Sequence, residues 1–469
     1  MNILLINPST SNIYGKIGAN LPPLGLGYIA AVARQGGHYI KIVDLAVDKE
    51  ALNNLNINEF DLIGITATTP QYPEALKVAK KMKDKNKMVV MGGYHVTFMD
   101  YEALSTGVVD IVVRGEGEEI FLNLLNTLEN KGKLDDVKGI SYWEGTNYIR
   151  TDDVPPPQNL DELPFPARDL FPIDKYKNTL EGIRTINITT SRGCPFNCYF
   201  CSSSKFGGLK WRARSPESIA DEIELLQKEY GFKAFAFMDD NFTLNPKRVI
   251  AFADEIEKRN IDIIWWCFSR VDTLVKNEFM VKRMAESGAI RIFLGLESAN
   301  ENVLDDYGKN ITYKQQIDAV NLLRKYGIGI HGSFIIGDFE ETEDMIMNTV
   351  KLAKKLKPEV SQFSVLTPFP GTALFEQVKR ENKFLHNKWE LYDALHPTIK
   401  LKNLTPKQLQ KITVKSYRKA YLNYSNLFGG QNGKKLKFEE ENKSSLYKTI
   451  KEGISLYFSL RSEILNSHL

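Results

Sequence analysis

The stretch RGCPFNCYFC, Arg192 to Cys201, holds three of the chain's four cysteines. Cys194, Cys198 and Cys201 are separated by three residues and then by two, and Gly193 and Pro195 suit a tight loop turning around a bulky object. Three thiolates in one loop repel one another unless a cation or a cluster neutralises them. Zinc takes four protein ligands in a structural site, or three and a water in a catalytic one. An iron–sulfur cube bound by three cysteine sulfurs, with its fourth iron open to a non-protein ligand, fits the count better. The remaining Cys267 lies in the apolar run IIWWCF and reads as a small hydrophobe. Phe200, next to Cys201, supplies an aromatic wall. A zinc-binding structural or interaction protein is the competing class.

Around this loop, strands alternate with helices. The series begins near ITTSRG (188–193) and continues through FKAFAFMDD (232–240), DIIWWCFSRV (262–271), IRIFLGLESA (290–299), IGIHGSFIIG (328–337) and VSQFSVLTPF (360–369). Segments such as PESIADEIELLQKEY and TYKQQIDAVNLLRKY read as the intervening helices. Six strands, each followed by helix or loop, predict a partial (β/α)6 barrel over residues 181–375, with active groups at the C-terminal mouth of the strands.

Upstream, residues 1–130 repeat short apolar strands: NILLIN (2–7), YIKIVDL (39–45), LIGIT (62–66), KMVVMGG (87–93) and DIVVRG (110–115). Helical patterns at 24–35, 72–82 and 118–129 separate them. This predicts an α/β domain of Rossmann or flavodoxin type, an open parallel sheet covered on both faces. Ligands on such sheets sit at the C-terminal strand ends. The loops there carry Pro22, Pro23, Gly25 and Gly27, then Thr66 to Pro70, then Gly92 to His95, then Gly115 and Gly117. No Gly-x-Gly-x-x-Gly follows the first strand, which argues against a nicotinamide site. Residues 131–180, with DVPPPQNLDELPFPARDLFP, read as a proline-rich connector. Residues 376–469 read as a mainly helical C-terminal domain and candidate substrate cover, closed by an amphipathic helix at 445–466.

A chain of 469 residues calls for two or three domains, and 43% apolar with 25% charged residues is a globular balance. The 61 basic side chains against 58 acidic ones leave a formal charge of +3, so nothing selects a nucleic-acid partner. Four cysteines argue against a secreted disulfide scaffold. MNILLINPS runs into an apolar strand without the pattern of a signal peptide, and no apolar run reaches the roughly 20 residues of a membrane span. The expected location is cytoplasmic.

CPFNCYFC resembles the signature of the radical S-adenosylmethionine (SAM) superfamily, Cys-x3-Cys-x-aromatic-Cys. The resemblance implies one [4Fe-4S] cluster on Cys194, Cys198 and Cys201, with SAM chelating the open iron through its amino and carboxylate groups. An electron from the reduced cluster then cleaves the sulfonium to a 5′-deoxyadenosyl radical. The resemblance also implies SAM contacts at the other strand ends. Asp240 in MDDNFT would meet the ammonium, with Asp239 capping the following loop. Arg270 in FSRVD would meet the carboxylate or ribose, oriented by Asp272. Glu297 in GLESA would act at the ribose or the adjacent substrate. Gly337 in HGSFIIGDFEET would admit adenine, and Pro368 in TPFPGT would close over it.

The front domain resembles that of the B12-binding subclass through LPPLGLGYIAAVARQGGH, DLIGITATT, GGYHVT and VRGEGEE. That implies cobalamin, with Thr66, Thr69, Gln71 and Tyr72 covering the lower face of the corrin. Gly92, Gly93 and His95, with Gly115 and Glu116, would receive the nucleotide tail. The Asp-x-His-x-x-Gly signature is absent, which argues against histidine ligation of cobalt. The implied activity is methylation of an unactivated carbon: one SAM methylates the cobalamin, and a second yields the radical. A peptide or protein carbon is the favoured substrate. The alternatives are C-methylation, cyclisation or dehydrogenation in lipid, terpenoid or tetrapyrrole metabolism. Tyr392, as a catalytic group, and His396 would line the substrate, whereas Trp265–Phe268 reads as core. A low-potential donor such as ferredoxin or flavodoxin completes the partners.

Overall fold

The computed structural model describes residues 1–9 and 20–421. The amphipathic helix expected at 445–466 lies outside the described residues.

The front sheet has β1 (Asn2–Asn7), β2 (Tyr39–Asp44), β3 (Leu62–Thr66), β4 (Met88–Gly92) and β5 (Ile111–Val113), all parallel, in the order β2-β1-β3-β4-β5. Alternate residues of β1 enter different cores, as a strand's period of two requires. Ile3 and Leu5 pack with Leu26, Ala30 and Phe121, while Leu4 and Ile6 pack with Ala75, Ala79 and Met82. Both faces are therefore apolar, which explains the continuous apolar strands. A hairpin of β6 (Ile140–Glu144) and β7 (Asn147–Arg150) extends this sheet antiparallel beyond β5, although its residues fall in the segment read as connector.

The second sheet carries six parallel strands: β9 (Ile183–Ile188), β12 (Ala234–Phe237), β13 (Ile264–Arg270), β14 (Ala289–Glu297), β15 (Gly329–Ile336) and β16 (Val360–Val365). Short β8 (Thr179–Leu180) pairs antiparallel with β9, and β9 and β16 are not paired to each other, so the barrel is partial. The first barrel strand is β9, earlier than the 188–193 expected from sequence. The reason is local. Buried Asp239 accepts from the amide of Thr190 at 2.6 Å and the hydroxyl of Ser191 at 2.6 Å, drawing this polar run out of the sheet. Asp239 thus holds the loop after β9 rather than capping its own. Ser191–Arg192 (β10) then pairs with Arg212–Ala213 (β11), a two-stranded ribbon enclosing the cysteine loop.

The barrel helices start and stop where side chains satisfy end groups. Ser215 caps Pro216–Tyr230, which ends in left-handed Gly231. Thr312 and Gln315 form a capping box on Tyr313–Lys325. The connector runs across helix Leu24–Gln35, where a Cβ on Gly27 would stand 2.9 Å from Cβ of Pro166. That close approach explains one glycine of LGLGY. Tyr176 donates to Asp44 at 2.6 Å and Asn187 to the carbonyl of Pro22 at 2.9 Å, joining the barrel side to the front sheet. Among the described residues, no helix is long and apolar enough to cross a membrane.

Candidate active site

The cysteine loop is fixed by its backbone. The amide of Cys194 donates to the carbonyl of Gly208 at 3.1 Å, and that of Cys201 to the carbonyl of Cys198 at 3.1 Å. Tyr199 donates its amide to Tyr307 and accepts from the amide of Leu374, so the loop is tied to two barrel elements. Gly193 has φ +81°, and a Cβ there would lie 2.5 Å from the carbonyl oxygen of Lys210, so only glycine fits. Burial, with added repulsion from the neighbouring thiols and Asp240, pushes the Cys194 thiol up to about 11. Burial also raises Cys201. Among the described residues, no group of three His, Cys, Asp or Glu side chains is drawn together as a metal-ligating set. The three thiols nevertheless sense one another's charge, the arrangement that a cationic cluster relieves. All four cysteines are free, and Cys267 is fully buried in the core as expected.

At the strand ends, Arg270 stacks on Phe196 with 3.7 Å from guanidinium carbon to ring centre, and its Nη1 lies 3.7 Å from Cys198 Sγ. Asp272 accepts from Arg270 Nε at 2.9 Å, and the carbonyl of Lys309 accepts from Nη2 at 2.8 Å. Glu297 ends β14 with φ +58° and is ion-paired with buried Lys309 at 2.6 Å. Asp240 lies between the cysteine loop and the front domain, its carboxyl raised by burial. Gly337 has φ +87°, and its open side is filled by Leu409, 2.9 Å from where a Cβ would lie. Pro368 is buried after β16. The Trp265–Phe268 stretch splits by alternation. Trp265 and Cys267 are core, while half-exposed Trp266 and Phe268 form an aromatic row on the opposite face with Phe293 and His331.

Between the two domains lies a cavity of about 310 Å³, within the range of small-molecule sites. Thr66, Gly92, Gly93, Gly115 and Glu116 line it from the front sheet, and Arg192, Gly193, Phe206 and Asp240 from the barrel side. A Cβ on Gly25 or Gly115 would meet no atom within 4 Å, so the glycines leave a broad cradle beside aliphatic walls. Among the described residues, no histidine lines it.

Thr69, Gln71, Tyr72 and His95 do not line this cavity. Gln71 reaches Asn7 and the carbonyl of Pro8. Tyr72 and His95 are buried, with ring centres 4.1 Å apart. Trp389 packs on His95 at 4.8 Å and donates Nε1 to Glu102 at 2.8 Å, docking the C-terminal loop on the front domain. Burial holds His95 down to about 3, so its imidazole is neutral.

A second cavity, of about 350 Å³, is lined by Thr68, Thr69, Pro70, Phe98, Ser202, Phe369, Pro370, Tyr392 and Asp393. Tyr94, stacked on Phe206 at 4.0 Å, borders both cavities. Tyr392 is buried with its hydroxyl 3.4 Å from the carbonyl of His386, and buried His396 pairs with Asp393 at 3.0 Å. Asp240 and the glycine loops thus share the first cavity and Tyr392 borders the second, while Arg270 stands against Cys198 and Glu297 pairs with Lys309 outside both linings. The structure adds Lys309, Arg192 and Arg212, which sequence reasoning missed, and gives Tyr94 of the Gly92 to His95 loop a place in both cavity walls. Tyr94 and Arg192 stand inside quoted motifs, but their partners come from distant segments.

Comparison with known proteins agrees with this geometry. The radical SAM superfamily matches residues 188–353 and the B12 binding domain matches residues 11–125. The uncharacterized methyltransferase PH0819 of Pyrococcus horikoshii is 42% identical, over 90% of this chain and 93% of that protein. The anaerobic magnesium-protoporphyrin IX monomethyl ester cyclase of Cereibacter sphaeroides is 30% identical, over 90% of this chain and 70% of that one. The cobalamin-dependent SAM radical enzyme OxsB, solved with aqua-cobalamin and SAM bound, shares the fold with a TM-score of 0.74 at 18% identity, covering 100% of this chain and 73% of that one. The chain belongs to the radical SAM superfamily and, within it, to the group that carries a B12-binding domain. It is an enzyme whose cofactors are a [4Fe-4S] cluster, SAM and cobalamin. The residues present fit them: three thiols in a pinned loop for the cluster, and a glycine cradle with aliphatic walls for a corrin.

Proposed function

We propose that the enzyme transfers a methyl group to an unactivated carbon of an apolar, ring-bearing small molecule. When bound, the cluster and SAM supply a 5′-deoxyadenosyl radical and cobalamin supplies the methyl group. The observation that carries the substrate class is the second cavity, whose Pro70, Phe98, Phe369 and Pro370 offer flat apolar walls beside Ser202, the residue after Cys201. Among the described residues Tyr94 alone stands in the walls of both cavities, which supports transfer between adjacent chambers. The peptide or protein carbon favoured by sequence gives way to this reading, because an apolar slot suits a ring or hydrocarbon better than a hydrogen-bonding backbone. The 30% relative named for magnesium-protoporphyrin points to tetrapyrrole-like rings. Because that relative is a cyclase, radical cyclisation of such a ring is the second reading.

In this proposal the chain's own residues do three things. The cysteine loop holds the cluster through Cys194, Cys198 and Cys201. Arg270, Asp240 and Glu297 orient SAM, while Pro368 shapes its adenine end; Gly337, whose open side Leu409 fills, does not admit the base. Trp389 and Tyr392 close the C-terminal loop over the substrate and keep water from the radical. The cluster needs a low-potential donor of the ferredoxin or flavodoxin class, and its oxygen-sensitive chemistry supports a reducing, cytoplasmic location.

Anaerobic turnover with methyl-labelled SAM and a panel of porphyrins, polycyclic lipids and peptides tests the reading. Label should enter a porphyrin or lipid, and Phe369→Asp should suppress transfer while SAM cleavage persists. Label entering only peptides would overturn the substrate class, and ring closure without label would establish the cyclase.

A further inference from the structure

The turn that lines the corrin cavity also grips the cysteine loop. Glu116 and Glu118 follow β5 in the front domain, and Arg192 and Arg212 face each other across the β10–β11 ribbon of the barrel. Arg192 Nη1 lies 2.8 Å from Glu116 Oε2, and its Nη2 lies 2.7 Å from Glu118 Oε1. Arg212 Nη2 lies 2.5 Å from Glu116 Oε1, and the same guanidinium donates to the carbonyls of Gly207 and Pro157 at 2.8 Å. Arg192 also stacks on Tyr28, 4.8 Å from its ring centre. Side-chain exposures are 4% for Glu116, 6% for Glu118, 15% for Arg192 and 1% for Arg212, so two cations and two anions meet almost without solvent.

Burying four charges is poor value as stability, because their desolvation offsets most of the attraction. What such a cluster does supply is register, since breaking one contact strands a charge in the interior. The register here is specific. Arg192 precedes Gly193 and Cys194 directly, and the backbone around Gly193 admits no Cβ, so displacement of Arg192 carries through to the first cluster thiol. On the other side, Glu116, Gly115 and Gly117 line the corrin cavity. One rigid assembly thus forms a wall of the first cofactor site and an edge of the second.

We propose that this ionic clamp couples the two cofactor sites: occupancy of the cysteine loop by the cluster tightens cobalamin binding, and cobalamin in turn stabilises the cluster. Glu118 and Arg192 are positioning residues in this scheme. The proposal goes beyond the substrate reading and does not depend on it. Equilibrium linkage requires the effect to be equal in both directions.

The test uses the full chain under anaerobic conditions, with and without the reconstituted cluster, and hydroxocobalamin as the probe. In the wild type the Kd should be lower with the cluster by about fivefold or more, the lower end of ordinary coupling. In Glu118→Gln and Arg192→Gln the ratio should fall to near unity, and Arg192→Lys should restore part of it. Cobalamin should also shift the EPR spectrum of the reduced cluster in the wild type and not in the glutamine variants. A merely structural role would lower thermal stability yet leave the ratio and the spectral shift intact. A wild-type ratio of one, or a ratio unchanged in folded Glu118→Gln, overturns the proposal.

Discussion

The floor of the first cavity is glycine backbone and aliphatic side chains with charges only along the edge shared with the barrel, at Glu116, Glu118, Arg192 and Asp240, whereas beside Cys198 stands the charged group Arg270, Lys309 and Glu297. The difference follows from the guests. A corrin is a broad disc that needs area and close backbone approach. A thiolate-bound cluster is compact and anionic, and needs fixed donors and compensating charge. The same chain meets the first need mainly with glycine and aliphatic surface and the second with charged side chains buried in pairs.

Removing a thiol should separate the two sites most sharply. Cys198→Ala should lose its iron and all reductive cleavage of SAM, while hydroxocobalamin still binds with the affinity of the cluster-free protein. Iron analysis and deoxyadenosine assay read the outcome, and persistent deoxyadenosine formation breaks the contrast. Gly115→Val is the converse. At φ +73° a branched residue adds about 1–2 kcal/mol of backbone strain, and its side chain enters the cavity. Cobalamin affinity should fall about tenfold or more, roughly 1.4 kcal/mol, with iron content unchanged.

Arg270→Met should leave both cofactors bound but remove a cation beside Cys198. A positive neighbour favours the reduced, more negative cluster, so its loss should lower the midpoint potential. A tenfold change in the reduced fraction ratio corresponds to about 59 mV for one electron. Arg270→Lys should recover part of the shift in an EPR-monitored titration. No movement in either variant would show that the guanidinium does not act on the cluster.

The last contrast concerns stability rather than the cofactors, in the neutral core where the C-terminal loop docks. His95 is held at about 3 in the fold against about 6.5 when unfolded, so below pH 6.5 the unfolded chain binds the extra proton. Its contribution to stability is complete above that value and declines as pH falls towards 3. Between pH 7 and 5 the loss is about 2 kcal/mol. Urea unfolding at the two pH values should show it, and His95→Gln should be flatter by that amount. An equal slope in both proteins would place His95 in contact with solvent or an anion.

What the sequence made legible was local. The cysteine spacing, the glycine loops and the strand alternation lie within short stretches, so a six-stranded partial barrel behind an open sheet could be read directly. Side-chain partners could not. Arg192 meets Glu118 across 74 residues, Arg212 meets Glu116 across 96, and Trp389 meets Glu102 across 287. Those separations explain why Glu116 reads as a ligand contact in sequence yet is held by two arginines, and why Tyr72 and His95 belong to a buried aromatic group. The first barrel strand was displaced for a similar reason, since Asp239 recruits Thr190 and Ser191 from 49 and 48 residues away.

The proposed transfer requires the two cofactors to face each other across one interdomain space. The direct measurement is EPR of anaerobic protein loaded with cob(II)alamin, recorded before and after reduction of the cluster. A dipolar splitting or broadening of the cobalt signal on reduction is the predicted result. Two unperturbed spectra that simply add, in protein shown to contain both centres, would contradict it.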